Sequence, residues 1–119
     1  MRRLRRRKTL LLESGRMATI NEEEFRKLCD RLFADRENVY ALNPAMSRRD
    51  TLFWMLYGSL LSLLDIPADY EPAIPPEKSD NLYAAAILDI LQGRMSTQFD
   101  AEKYLSELSR RVEEDAESP

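Results

Sequence analysis

The feature that most constrains this chain of 119 residues is an uncharged, mostly apolar segment that runs from Thr51 to Leu64. Charged residues close the segment at both ends, Asp50 before it and Asp65 after it. A membrane-spanning helix needs about 20 apolar residues, so the segment is too short to cross a bilayer. Ser47 and Asp50 form an N-terminal capping pattern, which predicts a helix here. Because this helix is apolar nearly all round, we expect it at the centre of the fold.

The predicted central helix has two apolar sides that both need cover. Projected at about 100° per residue, Leu52, Leu56 and Leu63 lie on one side. Trp54 and Leu61 lie on nearly the opposite side. We therefore expect Trp54 at the centre of the core.

A strip of small residues lies between these two sides and would let another helix approach closely. If the other helices of the chain cannot cover the central helix completely, a second copy would do so, and the strip would be a two-fold contact. The alternative is that Gly58 contacts a neighbouring helix of the same chain. The residues of this candidate helix–helix or dimer contact are Thr51, Met55, Gly58 and Ser62.

Three further helices are predicted from capping patterns and apolar stripes. Asn21 and Glu24 form a capping box, and the first helix should end near Arg36. A third helix should begin near residues 79–80 and stop at Gly93, because glycine commonly ends helices. The fourth should run from a cap formed by Thr97 and Asp100 to Glu113.

A proline-rich segment separates the second and third predicted helices. Four prolines between residues 67 and 76 exclude a regular helix there. Pro72 and Pro75 have the spacing of a polyproline ligand, but Glu71 replaces the basic neighbour such ligands carry, so a plain crossover loop is the better interpretation. The chain has only three glycines and is rich in helix-forming residues. The predicted fold is an all-α, compact bundle of about four helices with a Pro-rich loop between helices 2 and 3.

The net charge of −3 hides a strong asymmetry along the chain. Seven basic residues and one acidic residue give residues 1–16 a charge of +6, which leaves −9 for the remainder. We predict a basic arm at 1–18 that is disordered or not part of the fold, a helical domain at 19–113 and an acidic flexible tail at 114–119. Met17 is a plausible translation start, so the arm would then be upstream sequence. The candidate polyanion contacts are Arg2, Arg3, Arg5, Arg6, Arg7 and Lys8.

The inventory of catalytic residues is poor. Histidine is absent, which removes the commonest general base and the commonest metal ligand. There is no glycine-rich phosphate loop and no calcium-binding loop. Cys29, the single cysteine, lies within an apolar stripe, which indicates a buried, inert thiol in a reducing cytoplasm. The sequence predicts no enzyme, no metal, no cofactor and no small-molecule substrate.

Three functional hypotheses follow from these features. The first is a non-enzymatic, self-associating helical module that binds a protein partner, with a second copy of itself as one such partner. The alternative is a nucleic-acid-associated small protein that uses its Arg-rich arm to contact phosphates. A further alternative is an acidic immunity or nucleic-acid-mimic protein, which fits the charge of the body equally well.

Overall fold

The computed structural model describes residues 18–117, apart from the side chains of residues 78–80 and 117. Within this range the chain forms five α-helices and no strand, which confirms the all-helical class. Ile20 and Met95 form an isolated β-bridge that belongs to no strand. The α-helices are α1 (Glu22–Ala34), α2 (Arg36–Leu42), α3 (Arg48–Leu63), α4 (Leu82–Leu91) and α5 (Ala101–Glu117), and a 3-10 helix (Pro76–Asn81) precedes α4.

The first predicted helix is two helices in the structure. The capping box is confirmed, because Asn21 Oδ1 accepts from the Glu24 N–H at 2.8 Å and Glu24 Oε1 accepts from the Asn21 N–H at 2.9 Å. The helix ends at Ala34, and the chain turns at Asp35, whose Oδ1 accepts from Asn38 Nδ2 at 2.7 Å. The turn starts α2, which makes five helices instead of about four.

Helix α3 is the centre of the bundle, as its composition predicts. Ser47 Oγ accepts from the Asp50 N–H at 3.1 Å and caps its first turn. The helix packs against each of the four other α-helices in the described range. Its inner side is fully buried and forms the middle of the core through Leu52, Phe53, Leu56 and Leu60.

The prediction that Trp54 lies at the centre of the core is wrong. Trp54 is 38% exposed, and Leu63, predicted on the covered side, is 54% exposed. Leu61 is covered because the chain turns back over it, with the Ile66 N–H donating to the Leu61 carbonyl at 2.8 Å. The other helices surround the opposite side of α3, so the side of Trp54 stays open to solvent.

The proline-rich segment between α3 and α4 is tied to both helices by tyrosines. The Tyr70 hydroxyl donates to Asp89 Oδ2 at 2.5 Å, and the Tyr57 hydroxyl donates to the Tyr70 carbonyl at 3.4 Å. Helix α4 starts at Leu82, slightly later than predicted, because the preceding turns are 3-10. Gly93 has a φ of +77°, which confirms it as the glycine that ends α4.

Helix α5 differs from its prediction at both ends. Asp100 Oδ1 accepts from the Lys103 N–H at 3.3 Å, so Asp100 caps the first turn in place of Thr97. The helix continues to Glu117, beyond the predicted end at 113. The extra turn is attached to the bundle because Arg36 Nη2 donates to Asp115 Oδ1 at 3.0 Å.

The start of the described chain also packs into the fold. The Ile20 N–H donates to the Arg94 carbonyl and the Ser96 N–H donates to the Ile20 carbonyl, both at 2.9 Å. The Ile20 side chain is buried in the core, and Ala18 packs against it. Among residues 18–117, no helix combines the length and the apolar composition needed to cross a bilayer.

Candidate functional site

The outer face of α3 is an exposed surface without charge. We define it as Trp54, Met55, Gly58 and Ser62, of which Met55 is half-buried and the other three are exposed. Trp54, Gly58 and Ser62 follow one another at spacings of four residues, so they form a single row along the helix. The row lies inside the segment 51–64, which contains no charged residue.

Gly58 is open to solvent at the middle of this row. A Cβ atom built on Gly58 would meet no atom of the described residues within 4 Å outside its own helical turn. Within residues 18–117, therefore, no neighbouring helix contacts Gly58.

The structure brings together three of the four predicted contact residues and separates the fourth. Met55, Gly58 and Ser62 share the outer face, whereas Thr51 is completely buried and its hydroxyl donates to the Ser47 carbonyl at 2.8 Å. Trp54 takes the place that was predicted for Thr51. Its spacing in the sequence could have identified Trp54, which lies four residues before Gly58 and eight before Ser62. Positions with this spacing share one face of a helix, and small or polar residues such as Gly58 and Ser62 are expected on an exposed face.

Charged residues of opposite sign flank α3 at its two ends. Arg48, in the first turn, is exposed, and its guanidinium lies 5.1 Å from the centre of the Tyr40 ring. Asp65 follows the helix with a φ of +58° and is also exposed. The hydrogen bond from Arg36 and, to a lesser degree, the charge of Arg48 lower the pKa of the Asp115 carboxyl, so Arg48 acts on α5 as well as on the Tyr40 ring. Arg49, by contrast, lies 3.0 Å from the Asp50 carboxylate, so these two charges cancel locally.

A cleft also lies between α4 and α5. Phe53, Ala84 and Leu105 line its apolar floor, while Ser106 and Arg110 belong to its polar rim. Its volume is about 270 Å³, which is below the range of typical ligand pockets, about 300 to 1,000 Å³. The size and the mixed lining give no indication of a bound small molecule.

The reactive groups of the described chain are committed to packing or hydrogen bonds. Cys29 is buried, and burial, reinforced by the charge of Asp30, raises the pKa of its thiol to about 12. The Tyr70 hydroxyl has a raised pKa because it donates to the Asp89 carboxylate. Tyr104 likewise has a raised pKa because it donates to Glu22. No cluster of three or more metal-binding side chains occurs between residues 18 and 117.

The second candidate surface, the basic arm, cannot be placed in this geometry. Its predicted contacts, from Arg2 to Lys8, lie outside the residues that the structure describes. The body that the structure does describe has an exposed acidic helix, α5, with Glu102, Glu107 and Glu113 on its surface. No family model matches the chain, and comparisons with curated proteins and with solved structures gave no significant match.

Proposed function

We propose that this protein is a non-enzymatic helical interaction module that self-associates through the outer face of α3. The observation that supports the proposal is an exposed helical face that carries Trp54 and no charge along its length. Surface helices normally place charged residues toward solvent. Protein interfaces, in contrast, are enriched in Trp and Met and depleted of charge at their centres.

The size of the face sets the expected strength of the association. From Trp54 to Ser62 the helix rises about 12 Å, so the face alone buries only a few hundred Å². Residues around the face must also join the contact for its buried area to reach that of even the smaller specific interfaces. We therefore expect dissociation constants in the micromolar range and a monomer–dimer equilibrium that depends on concentration.

Sedimentation equilibrium between about 1 and 100 µM tests the proposal, since that range spans the affinity expected for a small interface. The native chain should approach the mass of a dimer at the upper end. Ser62→Glu places a charge on the outer face and should keep the protein monomeric without changing its helical content. Ser106→Glu is the matched control, because it makes the same change on an exposed position of α5. A native monomer throughout the range would contradict the proposal.

A nucleic-acid-associated function is the second candidate, and the charge of +6 on residues 1–16 is the observation that favours it. Each phosphate contact makes affinity fall steeply with salt. The test is binding of generic single- and double-stranded nucleic acid by the full chain and by a chain that starts at Met17. Salt-dependent binding that is lost on truncation would support this candidate. Capture of a basic protein that survives truncation would instead favour the acidic immunity or mimic class, which the charge of −9 on the body permits.

A further inference from the structure

The cleft between α4 and α5 has an unsatisfied hydrogen-bond acceptor in its lining. Asn81 occupies the N-cap position of α4, yet its side chain makes no capping hydrogen bond. Its Oδ1 atom is shielded from solvent and accepts from no donor among the described residues. A buried polar atom without a partner lowers stability, so Asn81 weakens the fold at this position.

The rim of the cleft is suited to a cation. Glu113 and Glu102 both lie on it and are exposed, and Glu113 forms no ion pair with any described residue. Arg110 also lies on the rim, but its guanidinium is 2.8 Å from the Glu114 carboxylate, so its positive charge is balanced locally. The charge of −9 on residues 17–119 attracts basic partners from a distance as well.

The floor of the cleft is suited to an aliphatic chain, because Phe53, Ala84, Leu88 and Leu105 line it. Its volume of about 270 Å³ is smaller than a typical ligand pocket and leaves room for a single side chain. Lysine has a flexible four-carbon stem that packs on apolar surface and ends in a compact ammonium group. Arginine ends in a rigid planar fork of five N–H donors, most of which one buried acceptor would leave unpaired.

We propose that the cleft between α4 and α5 binds a lysine side chain that a partner protein presents. The ammonium group donates to Asn81 Oδ1 after the Asn81 amide turns toward the cleft about χ2, a torsion that is soft in asparagine. The Glu113 carboxylate attracts the same ammonium group at the rim. This site goes beyond the proposed self-association, because the cleft shares no residue with the outer face of α3.

An NMR titration of the full chain with short blocked peptides tests the proposal. Terminally blocked Gly-Lys-Gly should shift the backbone amide signals of Ala84, Ala85 and Leu105 until they saturate. The dissociation constant should be on the order of millimolar, because one side chain supplies all the contact. Gly-norleucine-Gly has an aliphatic stem without the ammonium group, so it should bind about tenfold more weakly.

Two variants separate binding from folding. Asn81→Leu replaces the unsatisfied acceptor by an apolar side chain, so it should raise the thermal midpoint of the free protein and still weaken binding of Gly-Lys-Gly by about tenfold. Glu113→Gln removes the rim charge and should weaken binding severalfold without changing the midpoint. Glu107→Gln is the matched control and should leave binding unchanged, because Glu107 is exposed on α5 and does not line the cleft.

Four results would each overturn the proposal. Equal binding of the norleucine peptide would show an apolar cleft without a cation site, and equal binding of Gly-Arg-Gly would show recognition of positive charge alone. Shifts spread along the exposed side of α5 instead of the cleft would show unspecific attraction. Unchanged binding by Asn81→Leu would remove the acceptor from the site. None of these results bears on self-association, which is read from the mass of the protein.

Discussion

Helices α3 and α5 both expose one side to solvent, but they do so with different chemistry. The exposed side of α5 is charged and contains pairs such as Arg110 and Glu114, with the guanidinium 2.8 Å from the carboxylate. The exposed side of α3 has no charge and holds Trp54. Since both helices belong to one bundle, the fold does not account for the difference. The outer face of α3 has the composition of a contact surface, while α5 has that of a solvated one.

The comparison first predicts that the two sides of α3 contribute very unequally to stability. Leu56→Ala should lower the free energy of unfolding by about 2 to 5 kcal/mol, because Leu56 is fully buried in the core. Trp54→Ala should lower it by only about 1 kcal/mol, because its side chain is 38% exposed. Urea unfolding at low micromolar concentration, where association contributes little, measures both. An equal cost for the two variants would place Trp54 in the core and remove the outer face.

The second prediction uses two exposed glycines, Gly58 inside α3 and Gly93 in the turn after α4, that differ in backbone conformation. A Cβ would meet no described atom within 4 Å at either Gly58 or Gly93, but of these two only Gly93 has a positive φ, +77°. Gly58→Ala should stabilise the monomer by up to about 1 kcal/mol through helix propensity. Gly93→Ala should destabilise it by about 1 kcal/mol through strain. Destabilisation by Gly58→Ala in the isolated monomer would mean that the face of α3 is covered within the chain.

The third prediction concerns the charged contact that holds the last turn of α5. The hydrogen bond from Arg36 lowers the pKa of the Asp115 carboxyl in the folded state. A lowered folded-state pKa contributes stability above the unfolded value of about 3.9, and this contribution is lost as the pH falls through the folded pKa. Asp115→Asn should reduce the thermal midpoint near neutral pH and make it less dependent on pH below about 4.

Asp115→Asn should change the response to acid but not the self-association of the protein. Asp115 lies on α5 and is not one of the residues of the outer face, so Asp115→Asn should leave the sedimentation behaviour of the protein unchanged. A midpoint that falls with acid as steeply in Asp115→Asn as in the native protein would show that other carboxylates control the acid response.

Local patterns predicted much of this fold because their physics is local. The capping box of Asn21 and Glu24, the cap at Ser47 and the terminating Gly93 all depend on backbone groups a few residues away. The turn at Asp35 was missed. The helix that follows it, α2, packs on α3 and buries Val39. Such packing depends on the whole chain, so a short sequence pattern does not encode it.

The candidate site was predicted in part for a similar reason. A helical projection correctly grouped Met55, Gly58 and Ser62, because it depends only on the helix period. It could not decide which of two apolar sides other helices would cover. Thr51 was therefore assigned to the contact strip and Trp54 to the core, whereas the structure buries Thr51 completely and leaves Trp54 38% exposed. Coverage is a property of the whole chain, so it had to come from the structure.

The smallest expected effect on stability comes from removing one exposed ion pair on α1. Lys27 Nζ lies 3.3 Å from the Glu23 carboxylate on α1, and their side chains are 59% and 64% exposed. Such pairs contribute about 0.3 kcal/mol, so Lys27→Gln should barely change the free energy of unfolding and should not change self-association.

Ser62→Lys should be equally mild for stability, because both residues tolerate a helix and Ser62 is exposed. It should nevertheless abolish the dimer, since an unpaired charge would then be buried between two copies. If Lys27→Gln and Ser62→Lys weaken association equally, the two exposed surfaces are equivalent, and the distinction between a contact face and a solvated face does not hold.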